Sequence, residues 1–187
     1  MFEYDTDRDN YDYVYDAESL RSLAGRKMHS KKNHFNGFVK EYQDRFVYKA
    51  IEKSEFEECL RLSDKWAFSR EKDRNLIGEN LAIKKVLKNA DKFSCLKIGG
   101  IYIDNDLEAF TFGDLINSQM AVIHIEKANP DIRGIYSAVN KLFLENEFPD
   151  VEFVNREDDL GIEGLRKAKL SYKPLRLVEK YTLTERQ

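Results

Sequence analysis

The sequence is poor in residues that break a chain or staple it. Its 187 residues include three prolines and nine glycines, which leaves little room for long structureless loops. There are two cysteines, Cys59 and Cys95, and three histidines. No Cys/His/Asp cluster has the spacing of a zinc or iron site. Both cysteines stand in apolar runs and read as reduced core thiols, which points to the cytoplasm. No apolar stretch reaches the ~18 residues a membrane span needs. The acidic opening, MFEYDTDRDN, lacks the apolar centre of a signal peptide. A soluble, cytoplasmic protein is expected, and any action on lipid would come from outside the bilayer. Gly-x-Ser-x-Gly, Walker and dinucleotide-binding patterns are absent, which argues against those chemistries. The formal net charge is −3, so attraction to nucleic acid or anionic membrane must come from a local patch.

What is present suits a folded domain. Apolar residues make up 42% and charged residues 35%, a core under a heavily charged surface. The length fits one domain with an N-terminal extension. Residues 1–12 are acidic and tyrosine-rich, a frayed end or the tail of an upstream segment. Asp16 caps a short helix ending at Gly25. A helix over 28–42 places Phe35, Phe38, Val39 and Tyr42 on one face. A short strand covers 46–51. Ser54 and Glu57 form a capping box for a helix reaching Arg70, and another helix covers 75–90. The pattern then changes. Three β-type runs, 94–103, 107–112 and 119–127, are separated by short turns and read as an antiparallel meander. Helix 132–146, strand 151–155, helix 162–170 and strand 175–183 follow. The order predicts an α/β (α+β) fold: a mixed sheet, meander then βαβαβ, with helices on both faces and an N-terminal helical region. The connection after the third strand is the place for a ligand, because helix N-terminal amides hold phosphate there.

Three groups of residues can carry chemistry. On the third meander strand, alternation puts His124 and Glu126 on one face. Either suits a base that takes a proton from an attacking amine or hydroxyl; the plainer reading is a half-exposed polar face. In the second group, Arg26, Lys27, His29, Lys31, Lys32 and His34 crowd a helix start, against the macrodipole. A bound polyanion, tRNA phosphate or a lipid head group, offsets that cost. The plainer reading is a solvated face paired with Asp5, Asp7, Asp9 and Asp12. In the third, Asn155 ends a strand facing the ligand cleft, and Arg166 and Lys169 share one helix face with Tyr172 at its end. Arg166 can clamp a carboxylate or phosphate through two bonds. Tyr172, with a reference pKa of about 10, suits proton donation. The alternative is an internal network in which Asp158 or Glu157 holds Arg166.

Two segments, 23–38 (LAGRKMHSKKNHFNGF) and 154–174 (VNREDDLGIEGLRKAKLSYKP), resemble the uncharacterised bacterial proteins grouped with the C-terminal domain of phosphatidylglycerol lysyltransferase. The order Asn, acidic pair, Gly, Gly-Leu-Arg, Lys-x-x-Tyr is hard to meet by chance. The resemblance covers nearly the whole chain and implies a GNAT-like acyltransferase fold. It divides the chain into an N-terminal segment, 1–24, and a GNAT-like domain, 25–187, the C-terminal half of a tandem whose upstream half is missing. It implies transfer of an acyl or aminoacyl group, without a metal, from a charged tRNA or carrier thioester to an unknown amine or hydroxyl. Coenzyme A is a further candidate donor. In that reading Glu126, His124 and Tyr172 are catalytic, and Arg133, Gly134, Arg166, Lys169 and Asn155 bind the donor. Arg26, Lys27, Lys31 and Lys32 form the basic patch. Asn33 and Gly25 belong to the motif. One departure is plain. The pyrophosphate loop of ordinary GNAT enzymes, Gln/Arg-x-x-Gly-x-Gly/Ala, is not met by 128–137 (ANPDIRGIYS). Asp131 stands where a phosphate would sit, or caps the helix. The alternative function is a non-catalytic GNAT-like binding or structural module.

Overall fold

A computed structural model describes residues 1–68 and 74–186. In chain order the elements are β1 (Phe2–Thr6), β2 (Asp12–Asp16), α1 (Ala17–Ser22), α2 (His29–Tyr42), β3 (Phe46–Ala50), α3 (Phe56–Phe68), α4 (Arg74–Lys88), β4 (Lys97–Ile103), β5 (Asp106–Asn117), β6 (Met120–Ala128), α5 (Ile135–Glu147), β7 (Phe153–Asn155), α6 (Glu163–Ser171), β8 (Arg176–Val178) and β9 (Tyr181–Glu185). Seven strands form one sheet in the order β3-β4-β5-β6-β7-β2-β8. Only β6 and β7 run parallel; every other neighbouring pair is antiparallel. The mixed α/β class is as expected.

Strand alternation sends successive side chains to opposite faces, and this sheet buries both. Ile98, Phe110 and Phe112 pack with Cys59 and Leu62 of α3 and with Ile83 and Leu87 of α4. Ile101 and Ala109 pack with Phe38 of α2 and with Ile135, Ala138 and Val139 of α5. Helices therefore cover both faces. Phe38 and Phe110 are fully buried, each worth roughly 1.5–3 kcal/mol in removed apolar surface.

Several local expectations change. Residues 1–12 are no frayed end: they hold β1 and the first residue of β2, and β2 lies between β7 and β8 with Tyr13, Val14 and Tyr15 buried. The three-residue apolar run between Asp12 and Asp16 outweighs the acidic setting once two strands flank it. β1 pairs with β9 in a separate ribbon, so the expected last strand is two strands. Asp16 does cap α1, its carboxylate accepting from the Ser19 amide at 2.6 Å, but the helix ends at Leu23 in the left-handed region, not at Gly25. The capping box is Glu52 with Glu55, not Ser54 with Glu57, because a 3₁₀ turn precedes α3. Asp131 caps nothing, since α5 begins after Gly134. Cys59 is buried as expected, whereas Cys95 is exposed. The expected extension of α3 to Arg70 lies outside the described residues.

Candidate functional site

β6 and β7 pair only from Met120↔Phe153 to Val122↔Asn155. β7 then ends while β6 runs on to Ala128, so the sheet splits. The pairing of β6 with β5 shifts at the same level: Ile123 lies opposite Gly113 and Ile125 opposite Phe112. His124 is the extra residue of this bulge, which redirects the side chains that follow. Ile123 faces the α5 side with Phe143 and Leu144. Ile125 faces the α3–α4 side, and Glu126 turns back to α5. His124 and Glu126 therefore do not share a face, contrary to simple alternation.

His124 lies against Phe112. Its Nδ1 is 2.7 Å from Glu157 and its Nε2 is 3.6 Å from Asp114. The hydrogen bond to Glu157 raises the imidazole pKa, against burial, and Asp114 adds to the rise. A folded-state value above the unfolded one, about 6.5, stabilises the fold below that pH, and the contribution is lost as pH rises through the folded value. The melting temperature is therefore expected to fall from about pH 6.5 upward, and His124→Gln to flatten that slope. An identical slope in both proteins would mean the pair contributes nothing.

On the α5 side the split holds a buried polar cluster. Arg156, one residue past β7, pairs through Nη2 with Glu126, and their side chains are 11% and 13% exposed. The Asn140 amide of α5 donates to Glu126 at 3.0 Å. The Arg156 guanidinium lies 4.7 Å from the Tyr172 ring centroid and 5.6 Å from that of Tyr15. Burial opposes its charge and Glu126 more than offsets this, so its pKa is raised. Lys169 donates to the carbonyls of Arg156 and Glu157. Lys31, from α2, places its ammonium 4.1 Å from the Tyr172 ring centroid. Burial first, then Arg156, lowers both lysines to about 8. The Tyr172 hydroxyl is 3.4 Å from Ser137 Oγ, and burial raises its pKa, keeping the proton on oxygen. Arg156 Nε and Nη1 and Asn140 Oδ1 are buried without a partner among the described residues.

The other expected site residues fall elsewhere. Arg166 is no free clamp. It binds Asp159 with Nε at 2.8 Å and Nη2 at 2.7 Å, and Asp9 at 2.5 Å. The internal network exists, but its acid is Asp159, not Asp158 or Glu157. Asn155 also serves the loop, donating to Asp12 and accepting from the Glu157 amide. Arg133 is exposed. Gly134 (φ +85°) packs so closely on His34 O and Phe38 Cβ that a side chain there would collide with α2. α2 thus covers the turn where a pyrophosphate loop would lie. Of the acids of the N-terminal segment, Asp9 pairs with Arg166 and Asp12 with Lys180, while Asp5 and Asp7 accept from backbone amides of their own segment. Arg26 and Lys27 instead line a pocket of about 320 Å³ with Gly25, Met28, Tyr172 and Lys173. Lys32 is exposed nearby. Among the described residues no group of His, Cys, Asp and Glu is arranged to hold a metal, and no helix is long and apolar enough to cross a membrane.

A mixed sheet split between two parallel strands, with α5 leading from one to the other, is the GNAT-like acyltransferase fold. The chain belongs to the phosphatidylglycerol lysyltransferase C-terminal family, whose profile matches residues 1–184. A Bacteroides thetaiotaomicron protein of unknown function is 36% identical, with a TM-score of 0.91 over 97% of this chain and 61% of that one. L-PGS from Bacillus licheniformis shares the fold at 14% identity, with a TM-score of 0.65 over 97% of this chain and 60% of that one. An uncharacterised protein of Mycoplasmoides gallisepticum is 23% identical over 90% of this chain, which spans about half (54%) of that protein's length.

Sequence reasoning missed Arg156, Asn140, Ser137 and Asp159 as members of these networks. Arg156 stands beside Asn155 in the quoted motif, and a cation just past a strand end was the available signal. Asn140 carried none, because a polar residue on an otherwise apolar helix is recognised only when its facing strand is known.

Proposed function

We propose that the chain is an aminoacyl- or acyl-transferase domain that binds its donor at the β6–β7 split. The observation that carries this reading is a set of buried groups with no hydrogen-bond partner among the described residues: Arg156 Nε and Nη1 as donors, Asn140 Oδ1 as acceptor. Buried polar groups are almost always satisfied, so a ligand bearing both an acceptor and a donor fits. An aminoacyl ester has both, a carbonyl for Arg156 and an amine for Asn140 and Glu126; a simple acetyl group lacks the amine. On attack by an acceptor amine or hydroxyl the carbonyl oxygen becomes an oxyanion, and fixed guanidinium N–H groups stabilise that charge. In this reading Tyr172 protonates the leaving oxygen and regains its proton from the attacking amine or hydroxyl. Glu126, committed to Arg156 and Asn140, orients the donor, and His124 sits on the far face. Arg26 and Lys27 at the pocket offer contacts to the phosphates of a tRNA donor or of a lipid head group. The turn closed by α2 at Gly134 favours a charged tRNA or protein-borne thioester over coenzyme A. The upstream GNAT-like half belongs to this proposal too, since the chain covers about 60% of its structural relatives.

The test is thermal unfolding with charged tRNA, deacylated tRNA and acetyl-coenzyme A. Charged tRNA is expected to raise the melting temperature more than deacylated tRNA, and Asn140→Leu to remove the difference. Equal shifts from both tRNAs would favour the non-catalytic binding module.

A further inference from the structure

Of the two lysines beside Arg156, Lys31 and Lys169, only Lys31 has no hydrogen-bond or ion-pair partner among the described residues. Lys169 has its ammonium bonded to two carbonyls and is buried. Lys31 is half-buried, and its Nζ contacts the Tyr172 ring without a hydrogen bond or ion pair to any described residue. Arg156 lies against the same ring, so two cations flank one tyrosine, with Lys169 close to the same arginine. Glu126 is the acid that balances them, and it is already paired with Arg156 and Asn140. Lys31 is only half-buried, so a small reagent reaches it from solvent. Losing a proton from Lys31 relieves this crowding and frees a lone pair that no neighbour uses.

We propose that Lys31 is an acylation site that reacts with activated acyl groups, thioesters or acyl phosphates. The uncharged amine attacks the carbonyl carbon and an N–C bond forms. The C–S or C–O bond breaks, the thiolate or phosphate leaves with the electron pair, and the nitrogen loses a proton to solvent. The product is an amide beside Tyr172. It removes one cation from the site and places the acyl chain against the ring. Desolvation and the nearby Arg156 supply the uncharged form, since together they bring Lys31 to about 8. Against a reference amine near 10.4, that raises the uncharged fraction at neutral pH about two hundredfold. The weaker basicity lowers intrinsic reactivity about tenfold, by the rate–basicity relation that thiols follow, leaving a net gain of roughly ten- to twentyfold. The proposal goes beyond the transferase reading and is tested without tRNA, so either can fail alone.

The full chain is incubated with acetyl phosphate and, separately, with acetyl-coenzyme A from pH 6.5 to 9.5, and acetylation is followed by peptide mass spectrometry. Lys31 is expected to react about tenfold faster at pH 7.5 than Lys27 and Lys32, its exposed neighbours, with a rate that levels off above about pH 8. Lys31→Arg removes that adduct while circular dichroism stays unchanged. Reaction with only one reagent keeps the proposal and names the reagent class. A Lys31 rate no greater than that of Lys27 and Lys32, or one still climbing at pH 9.5, overturns it.

Discussion

Arg156→Met is expected to cost about 3–5 kcal/mol of stability in urea unfolding, the largest loss from any single change at the site. The substitution keeps the side chain's bulk against Tyr15 and Tyr172 and removes its charge. Glu126 is then left buried without a counter-charge. Breaking a buried pair from one side is more costly than removing it whole, because the desolvation of the remaining ion is no longer compensated. Arg156→Met combined with Glu126→Gln is therefore expected to recover half or more of the loss, a coupling that a double-mutant cycle measures directly. A single-variant loss under about 1 kcal/mol, the range of an exposed pair, would mean that water reaches the split and that the pair is not buried in solution.

Asp159→Ala carries the second-largest expected effect, about 2–4 kcal/mol, in the range for loss of a buried charged partner. The Asp159 side chain is fully buried. It accepts two bonds from Arg166, one from the Tyr13 hydroxyl and one from the Gly161 amide. Arg8 reaches the same carboxylate at 3.5 Å. Through Asp9, Arg166 also ties the turn before β2 to α6. Burial pushes this carboxyl up, and the Arg166 and Tyr13 hydrogen bonds outweigh it, holding the pKa well below the usual range. A depressed carboxylate contributes its full stability above the unfolded value, about 3.9, and loses it as pH falls toward the folded value. The wild type is thus expected to lose melting temperature steeply below about pH 4, and Asp159→Ala to show a lower but flatter acid limb. Parallel limbs in the two proteins would contradict the assignment.

The two networks explain why one loop holds so much of the motif. Residues 156–162 lie between β7 and α6, with Glu157, Leu160 and Gly161 at positive φ. Such a backbone holds its shape only when its surroundings specify it. Asn155, Asp159, Arg166 and Lys169 supply that specification by bonding to the loop. Residues first considered as a ligand clamp thus shape the loop that delivers Arg156 to Glu126 and Glu157 to His124.

Much of this was legible in the chain. Period-two runs, capping residues and the length of each segment determined the meander, the helices expected over 28–42 and 132–146 and the α/β class, because those signals are local. The segment 154–174 identified the family. Other features waited for tertiary contacts. Residues 1–12 read as an acidic extension and 13–15 as no element, until β7 and β8 flank β2 and bury Tyr13, Val14 and Tyr15 between them. His124 and Glu126 read as one face until the pairing with β5 inserts a bulge, and a bulge depends on a partner strand that alternation within β6 does not report. The choice of Asp159 over Asp158 and Glu157 as partner of Arg166 turns on which carboxylate the loop points inward. That direction is decided by left-handed backbone angles in the loop and by Tyr13 and Arg8, which reach the Asp159 carboxylate from the other end of the chain.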